Sequence, residues 1–422
     1  MTSKSKLRFK LLCIKWSKLL GIALLIGIFA SLIAISLKLT TEHYEELLFE
    51  RTKENRILLF VFPLFGLGLI YFLRQYAFRK KENKGIAEVF DSLRTGKGLP
   101  MYKVPSHFVN GLLTVAFGGP TGIEVSTVVA SAAVGSVTHD RQNFFRKYKT
   151  EMICAGISAG LTALFNSPMA GILFSLEVIT RKRSLKSFVI MATACFSALI
   201  MAHFLAPSDL FHVNVTHWNY GAVPYFIGFA LFASLNSVYL TKSVLWFKAR
   251  SAVFANPAYK FAVAALVIGG FLLVFPQLYG DGYHGLKELF LGSNTHYSLG
   301  FVALLVSLLV VKPILVSLAL WGGGDGGVFA PSLVTGAISG LLFAMVANHF
   351  FNAHLIPINF MLIGMGAVLS ATIHAPFTAV FLVCGITGNY VLILPLLLVC
   401  VLSKIASQKM YPFNVYTFKT AS

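Results

Sequence analysis

Gly118-Gly119-Pro120-Thr121-Gly122-Ile123-Glu124-Val125-Ser126 is the stretch on which the reading of this chain turns. It lies in an apolar run from Val104 to Val137, and Glu124 is the only formally charged residue between Lys103 and Asp140. A carboxylate at the centre of a bilayer costs about 2.5 to 3.5 kcal/mol on insertion scales, so it marks function unless a partner is evident. Gly122, just before the acid, suits the start of a helix, where the positive end of the helix dipole welcomes negative charge. A structural acid capping that helix is the competing account. Irregular backbone survives in a membrane only inside protein or beside water. The stretch is therefore read as a helix that begins partway through the bilayer.

The rest of the chain places it in lipid. Only 12% of its 422 residues are charged, against about 25% in soluble domains, and the mean hydropathy is +0.75; an ordinary soluble enzyme is excluded. Lys and Arg number 35 against 16 Asp and Glu, a net charge of +19. Such an excess fits nucleic acid, anionic lipid or an anionic substrate. Here the basic residues flank apolar segments, so topology accounts for most of them and nucleic acid is not expected. Residues 187 to 208, 289 to 311 and 326 to 403 lack Asp, Glu, Lys and Arg entirely. At about 20 residues per crossing, the last of these alone holds several helices.

Lys4, Lys6, Arg8, Lys10, Lys15 and Lys18 precede an apolar run from Leu19 to Leu37, with no small-residue cleavage site after it. Residues 1–20 are thus expected to be a basic cytoplasmic N-terminus leading into a retained helix. The expectation is an all-α polytopic protein, one transmembrane domain over 1–422 without a soluble regulatory domain. Cys13, Cys154, Cys195, Cys384 and Cys400 lack the spacing of a zinc site or disulfide framework and read as packing residues.

Two further segments resemble the first in kind. In Asn166-Ser167-Pro168-Met169-Ala170-Gly171 the proline suits a first helical turn and Asn166 or Ser167 its cap. In Gly322-Gly323-Gly324-Asp325-Gly326-Gly327-Val328-Phe329-Ala330-Pro331 glycine again frees the backbone ahead of an apolar helix. Each is read as an anion-accepting helix N-terminus. Gly364 and Gly366, taken alone, are better explained by close helix packing through small residues, a balance that the three glycine clusters together shift toward helices that stop partway.

Together these residues resemble the CLC family of chloride channels and proton-coupled chloride exchangers. Its G-R-E-G-P-x-V motif is similar to Gly122 through Val128, keeping the glycine, the acid and the later valine. Its N-x-P-x-A-G-x-L-F-x-x-E signature is matched at Asn166, Pro168, Ala170, Gly171, Leu173, Phe174 and Glu177, and its G-x-F-x-P at Gly327, Phe329 and Pro331, after Lys312 and the glycine run. The order holds from about residue 80 to Tyr411.

The resemblance implies a homodimer, each subunit a fold of two inverted halves whose broken, re-entrant helices aim their N-termini at chloride or another small anion. It implies neither metal nor cofactor, no enzymatic activity, and a multi-pass protein of a bacterial inner membrane. By it Glu124 is the gate, and the anion site comprises Lys84, Gly85, Ile86, Gly122, Ile123, Val125, Val328, Phe329, Ala330 and Tyr411. An interfacial anchor is the other account of Tyr411.

The departures carry information. Ile123 and Val125-Ser126 stand where the family has Arg and Gly-Pro, which puts the gate geometry in question. The family's G-S-G-I-P loop aligns best with Asn83 to Glu88, putting Lys84 at the serine; Thr95 to Pro100, with Lys97, is the second candidate. A lysine there would concentrate anions or latch Glu124.

Val178 occupies the position where exchangers usually carry an inner acid, so passive conduction gated by Glu124 is the leading expectation. Exchange of protons against chloride, bicarbonate, nitrate or fluoride is the alternative. Glu177 is read as a structural acid near Arg181 to Arg183, with a proton relay as its other role. An enzyme would need converging catalytic groups. His212 and His217 read instead as solvated loop residues, and His374 as a hydrogen-bonded interior histidine.

Overall fold

The computed structural model describes residues 3–416 except 79–82, 143–144, 181–183, 207–209, 212, 214, 252–253, 255 and 293–296. Arg181 to Arg183 and His212 therefore lie outside the described residues. Within them the regular structure is helical, with no strand beyond one isolated bridge.

The first half comprises α1 (Ser3–Glu54), α2 (Leu58–Phe72), α3 (Ala87–Thr95), α4 (Lys103–Ala116), α5 (Glu124–Arg141), α6 (Lys149–Phe165), α7 (Pro168–Phe174) and α8 (Leu185–Leu205). The second comprises α9 (Val223–Arg250), α10 (Pro257–Val274), α11 (Tyr283–Leu291), α12 (Leu299–Trp321), α13 (Phe329–Phe351), α14 (Pro357–Ile373), α15 (Pro376–Thr387) and α16 (Ile393–Met410). Among the described residues, eight helices are long and apolar enough to cross a membrane: α1, α2, α8, α9, α10, α12, α13 and α16. This is a multi-pass integral membrane protein. At 52 residues, α1 is about 78 Å long, well beyond the roughly 30 Å of hydrocarbon. Its C-terminal part delivers Glu45 to the second half of the chain.

The two halves break their helices in the same way. α6 ends where Asn166 turns left-handed at φ +52°, and Pro168 opens α7; α14 ends where His374 turns at φ +59°, and Pro376 opens α15. Pro supplies no N–H and has φ fixed near the helical value, so it restarts a helix without leaving a donor stranded. The short helices α7 and α15 then pack against each other.

α13 and α14 meet backbone to backbone: a Cβ on Gly336 or on Gly364 would strike the other residue's backbone. That is small-residue packing, the role read from sequence for Gly364. The core of α5, α6, α13 and α14 is buried almost throughout, so protein, not lipid, surrounds the glycine-rich helix starts.

Candidate functional site

The loops preceding α5 and α13 meet head to head. Gly122 N donates to Gly327 O at 3.2 Å and Gly327 N to Gly122 O at 2.9 Å, forming the one bridge. Gly326 has φ +150°, a conformation side chains rarely adopt, and a Cβ on Gly122 would meet the Glu124 carboxylate and the Ala330 side chain. The tie therefore brings the starts of two helices to one point. The first N–H groups of any helix have no partner within it. Here the partial positive ends of α5 and α13 face a shared, buried place.

Glu124 occupies that place. It is 1% exposed, and its carboxylate lies against the N–H groups of its own residue and of Ala330. Tyr283 Oη donates to Glu124 Oε1 at 3.0 Å, while Oε2 reaches no hydrogen-bond geometry. The residues expected at the anion site on these two helix starts are thus brought together: Gly122, Ile123 and Val125 on one side, Val328, Phe329 and Ala330 on the other. All six are buried.

The loop before α3 supplies a third wall and separates the two candidate lysines. A Cβ on Gly85 would lie 3.3 Å from Val125, at the start of α5. By contrast, Leu99 N donates to Ser136 Oγ at 2.8 Å, at the far end of α5. The loop carrying Lys84, Gly85 and Ile86 is therefore beside the site and Lys97 is not. Lys84 itself is exposed, and its N–H donates to Glu88. It makes no contact with Glu124, because the lysine side chain is exposed and the carboxylate is buried; the side-chain partner of Glu124 is Tyr283.

What positions the loop is a buried polar network that sequence reading missed. Asp325 Oδ2 accepts from Asn83 Nδ2 at 2.7 Å and lies 2.8 Å from His107 Nδ1; Lys103 pairs with Glu88 at 2.8 Å. Asp325 was visible as a charge inside a glycine run, the same signal that singled out Glu124.

The Tyr411 ring packs against Phe413 at 5.6 Å with the Lys242 ammonium 5.4 Å from its centroid. Tyr416, five residues on, has a buried hydroxyl with no hydrogen-bond partner among the described residues. A cavity of about 220 Å³ is lined by Tyr416, Val178, Glu177, His374, Lys404 and Gln408, among others.

Glu177 caps α15: its carboxylate accepts from Thr378 N at 2.7 Å, Thr378 Oγ1 at 2.6 Å and Phe377 N at 3.4 Å. These contacts are what a structural acid would make; Arg181 to Arg183, expected beside it, lie outside the described residues. The start of α7 is likewise spoken for. Ser167 Oγ caps it by accepting from Ala170 N and donates to Phe381 O at 2.8 Å, so this N-terminus faces α15.

His217 is exposed, and His374 Nδ1 lies 3.4 Å from Gln408 Nε2. Among the described residues no group of three or more His, Cys, Asp or Glu could hold a metal.

A family model described as voltage gated chloride channel matches residues 65–408. A relative from Vibrio vulnificus strain YJ016, the H(+)/Cl(-) exchange transporter ClcA, is 28% identical over 80% of this chain and 74% of its own. Among solved structures, a CLC-type fluoride/proton antiporter superposes with a TM-score of 0.81 at 20% identity, covering 95% of this chain and 97% of its own. A slow cyanobacterial Cl-/H+ antiporter gives 0.78 at 21% identity, covering 94% and 96%.

Proposed function

The chain belongs to the voltage-gated chloride channel (CLC) family of membrane anion transporters, and from that premise we propose that it exchanges a small anion, chloride first, for protons, with Glu124 as the gate. One observation carries the reading. A carboxylate at the joined starts of α5 and α13 occupies a place built of backbone donors, and that place suits any small anion equally well. A tethered anion and a free one then compete for it, and protonating the tether releases the place to the free ion.

Exchange displaces passive conduction as the leading reading. The relative from V. vulnificus is named an exchanger and the two superposed structures are titled antiporters. Val178 favours the channel reading, since valine carries no proton. It lines the same cavity, however, as Glu177, His374 and Tyr416, so proton-bearing side chains surround the position where the acid is missing. Tyr416, not Tyr411, is the phenol suited to donate to the ion. A homodimer in a bacterial plasma membrane completes the proposal.

The test uses proteoliposomes with chloride and pH gradients imposed separately. Exchange requires that an outward chloride gradient drive protons inward against their own gradient. Chloride flux with no proton movement would return the channel reading to first place.

A further inference from the structure

Tyr279-Gly280-Asp281-Gly282-Tyr283 joins α10 to α11, and both of its hydroxyls reach back to the segment that carries the gate. Tyr279 Oη donates to Ala116 O at 2.8 Å, at the end of α4; Tyr283 Oη donates to Glu124 Oε1 at 3.0 Å, at the start of α5. The five residues form a strap across the whole loop between those helices.

The strap is held from three sides. Tyr283 N donates to Asp281 Oδ1 at 2.7 Å, and Asp281 N to Glu45 Oε1 of α1 at 3.2 Å. Lys312 Nζ of α12, fully buried, donates to Asp281 O at 3.0 Å and Gly280 O at 3.4 Å. Gly282 has φ +89°, and a Cβ there would come within 2.7 Å of the Lys312 ammonium, so the turn fits only as it stands. Phe211 packs edge-on against the Tyr283 ring, at 5.4 Å and 87°. Backbone and ring are thus both fixed, which gives the phenol one direction to donate.

We propose that Tyr283 is the positioning residue of the gate: its phenol latches the Glu124 carboxylate in the anion place, and the strap braced by Glu45 and Lys312 fixes that latch. The inference rests on the reading of Glu124 as gate. It gives the neighbourhood of the acid a division of labour, with helix N-termini offering the place and the phenol deciding how long the tether stays there.

Tyr283→Phe removes the donor and keeps the ring. Chloride binding to the purified protein, measured by calorimetry, is expected to tighten by roughly tenfold, the scale of one hydrogen bond to a charged group. Because the latch works through the carboxylate, the same substitution in a Glu124→Ala background changes nothing further. Glu45→Gln, which loosens the strap without touching the phenol, is expected to shift binding the same way by a smaller factor.

A shift of equal size with and without Glu124 overturns the latch, since the ring would then be acting through packing. So does unchanged binding in Tyr283→Phe when Glu124→Ala alone tightens binding and abolishes proton coupling; the gate would then stand without the latch. If Glu124→Ala alters neither binding nor coupling, the gate fails and the latch with it.

Discussion

Replacing Glu177 separates a structural acid from a proton carrier. Its carboxylate takes three donors from the first residues of α15, two of them under 2.8 Å. A hydrogen bond to a charged acceptor contributes about 1.5 to 3 kcal/mol, and negative charge at a helix N-terminus about 0.3 to 1 kcal/mol. Glu177→Gln keeps an acceptor oxygen and loses the charge, so it should cost about 1 to 2 kcal/mol. Glu177→Ala strands the Thr378 N–H and hydroxyl in a half-buried place and should cost about 3 to 4 kcal/mol. Thermal unfolding in detergent reads the order: wild type, then Gln, then Ala, in falling midpoint. Proton-coupled chloride flux in the surviving Gln variant should stay near wild type. A Gln variant that melts like wild type yet no longer moves protons would refute the assignment and make Glu177 the inner carrier.

Three further outcomes are expected. Gly327→Ala places a methyl group against the Val125 side chain and backbone at the bridge between the two helix starts; anion flux should fall by tenfold or more, while the protein still purifies as a monodisperse species. Lys84→Ser should reduce chloride flux by a few-fold at low ionic strength and by much less near 0.5 M salt, because an exposed charge steers anions over a distance that salt screens; a salt-independent effect would place the ammonium in direct contact with the ion. Tyr416→Phe should weaken chloride binding several-fold whereas Tyr411→Phe leaves it unchanged, measured by calorimetry, and the reverse result would restore Tyr411 to the site.

What could be read from sequence was whatever depends on local chemistry. Glu124 stood out because charge is expensive in lipid, and the glycine runs stood out because they cannot be ordinary spanning helix; neither inference needs a partner. Gly122, Val328 and Ala330 came instead from the resemblance to the family's motifs. The expectations that the contacts in the structure do not support share one cause. Tyr411 and Tyr416 differ by five positions in a segment without helical periodicity, so only the path of the chain after α16 could choose between them. Asn166 to Gly171 was read as open to an anion because its cap looks like that of the other helix starts. The group it turns to, the Phe381 carbonyl that accepts from Ser167, comes from a helix more than 200 residues away. Tyr283 was missed for the same reason: Gly-Asp-Gly between two tyrosines reads as a surface turn until Glu45, Lys312 and Glu124 arrive from three other parts of the chain.

Glu124 and Glu177 illustrate why a helix-start acid does not declare its role in sequence. Both are carboxylates facing the first turn of a helix, Glu124 at α5 and α13, Glu177 at α15, and the dipole favours charge at each. They differ in how fully they are satisfied. Glu177 holds three donors from a single helix start, so leaving would strand all of them at once, at about 1 to 3 kcal/mol for each group left without a partner. Glu124 holds one side-chain donor from outside its own helix and keeps Oε2 without hydrogen-bond geometry, while the N–H groups it faces would be served as well by a free anion. A carboxylate whose backbone donors an incoming ion can satisfy can move; one that closes a cap is held. Mobility of an acid in this fold thus depends less on the field it sits in than on whether its donors accept a substitute.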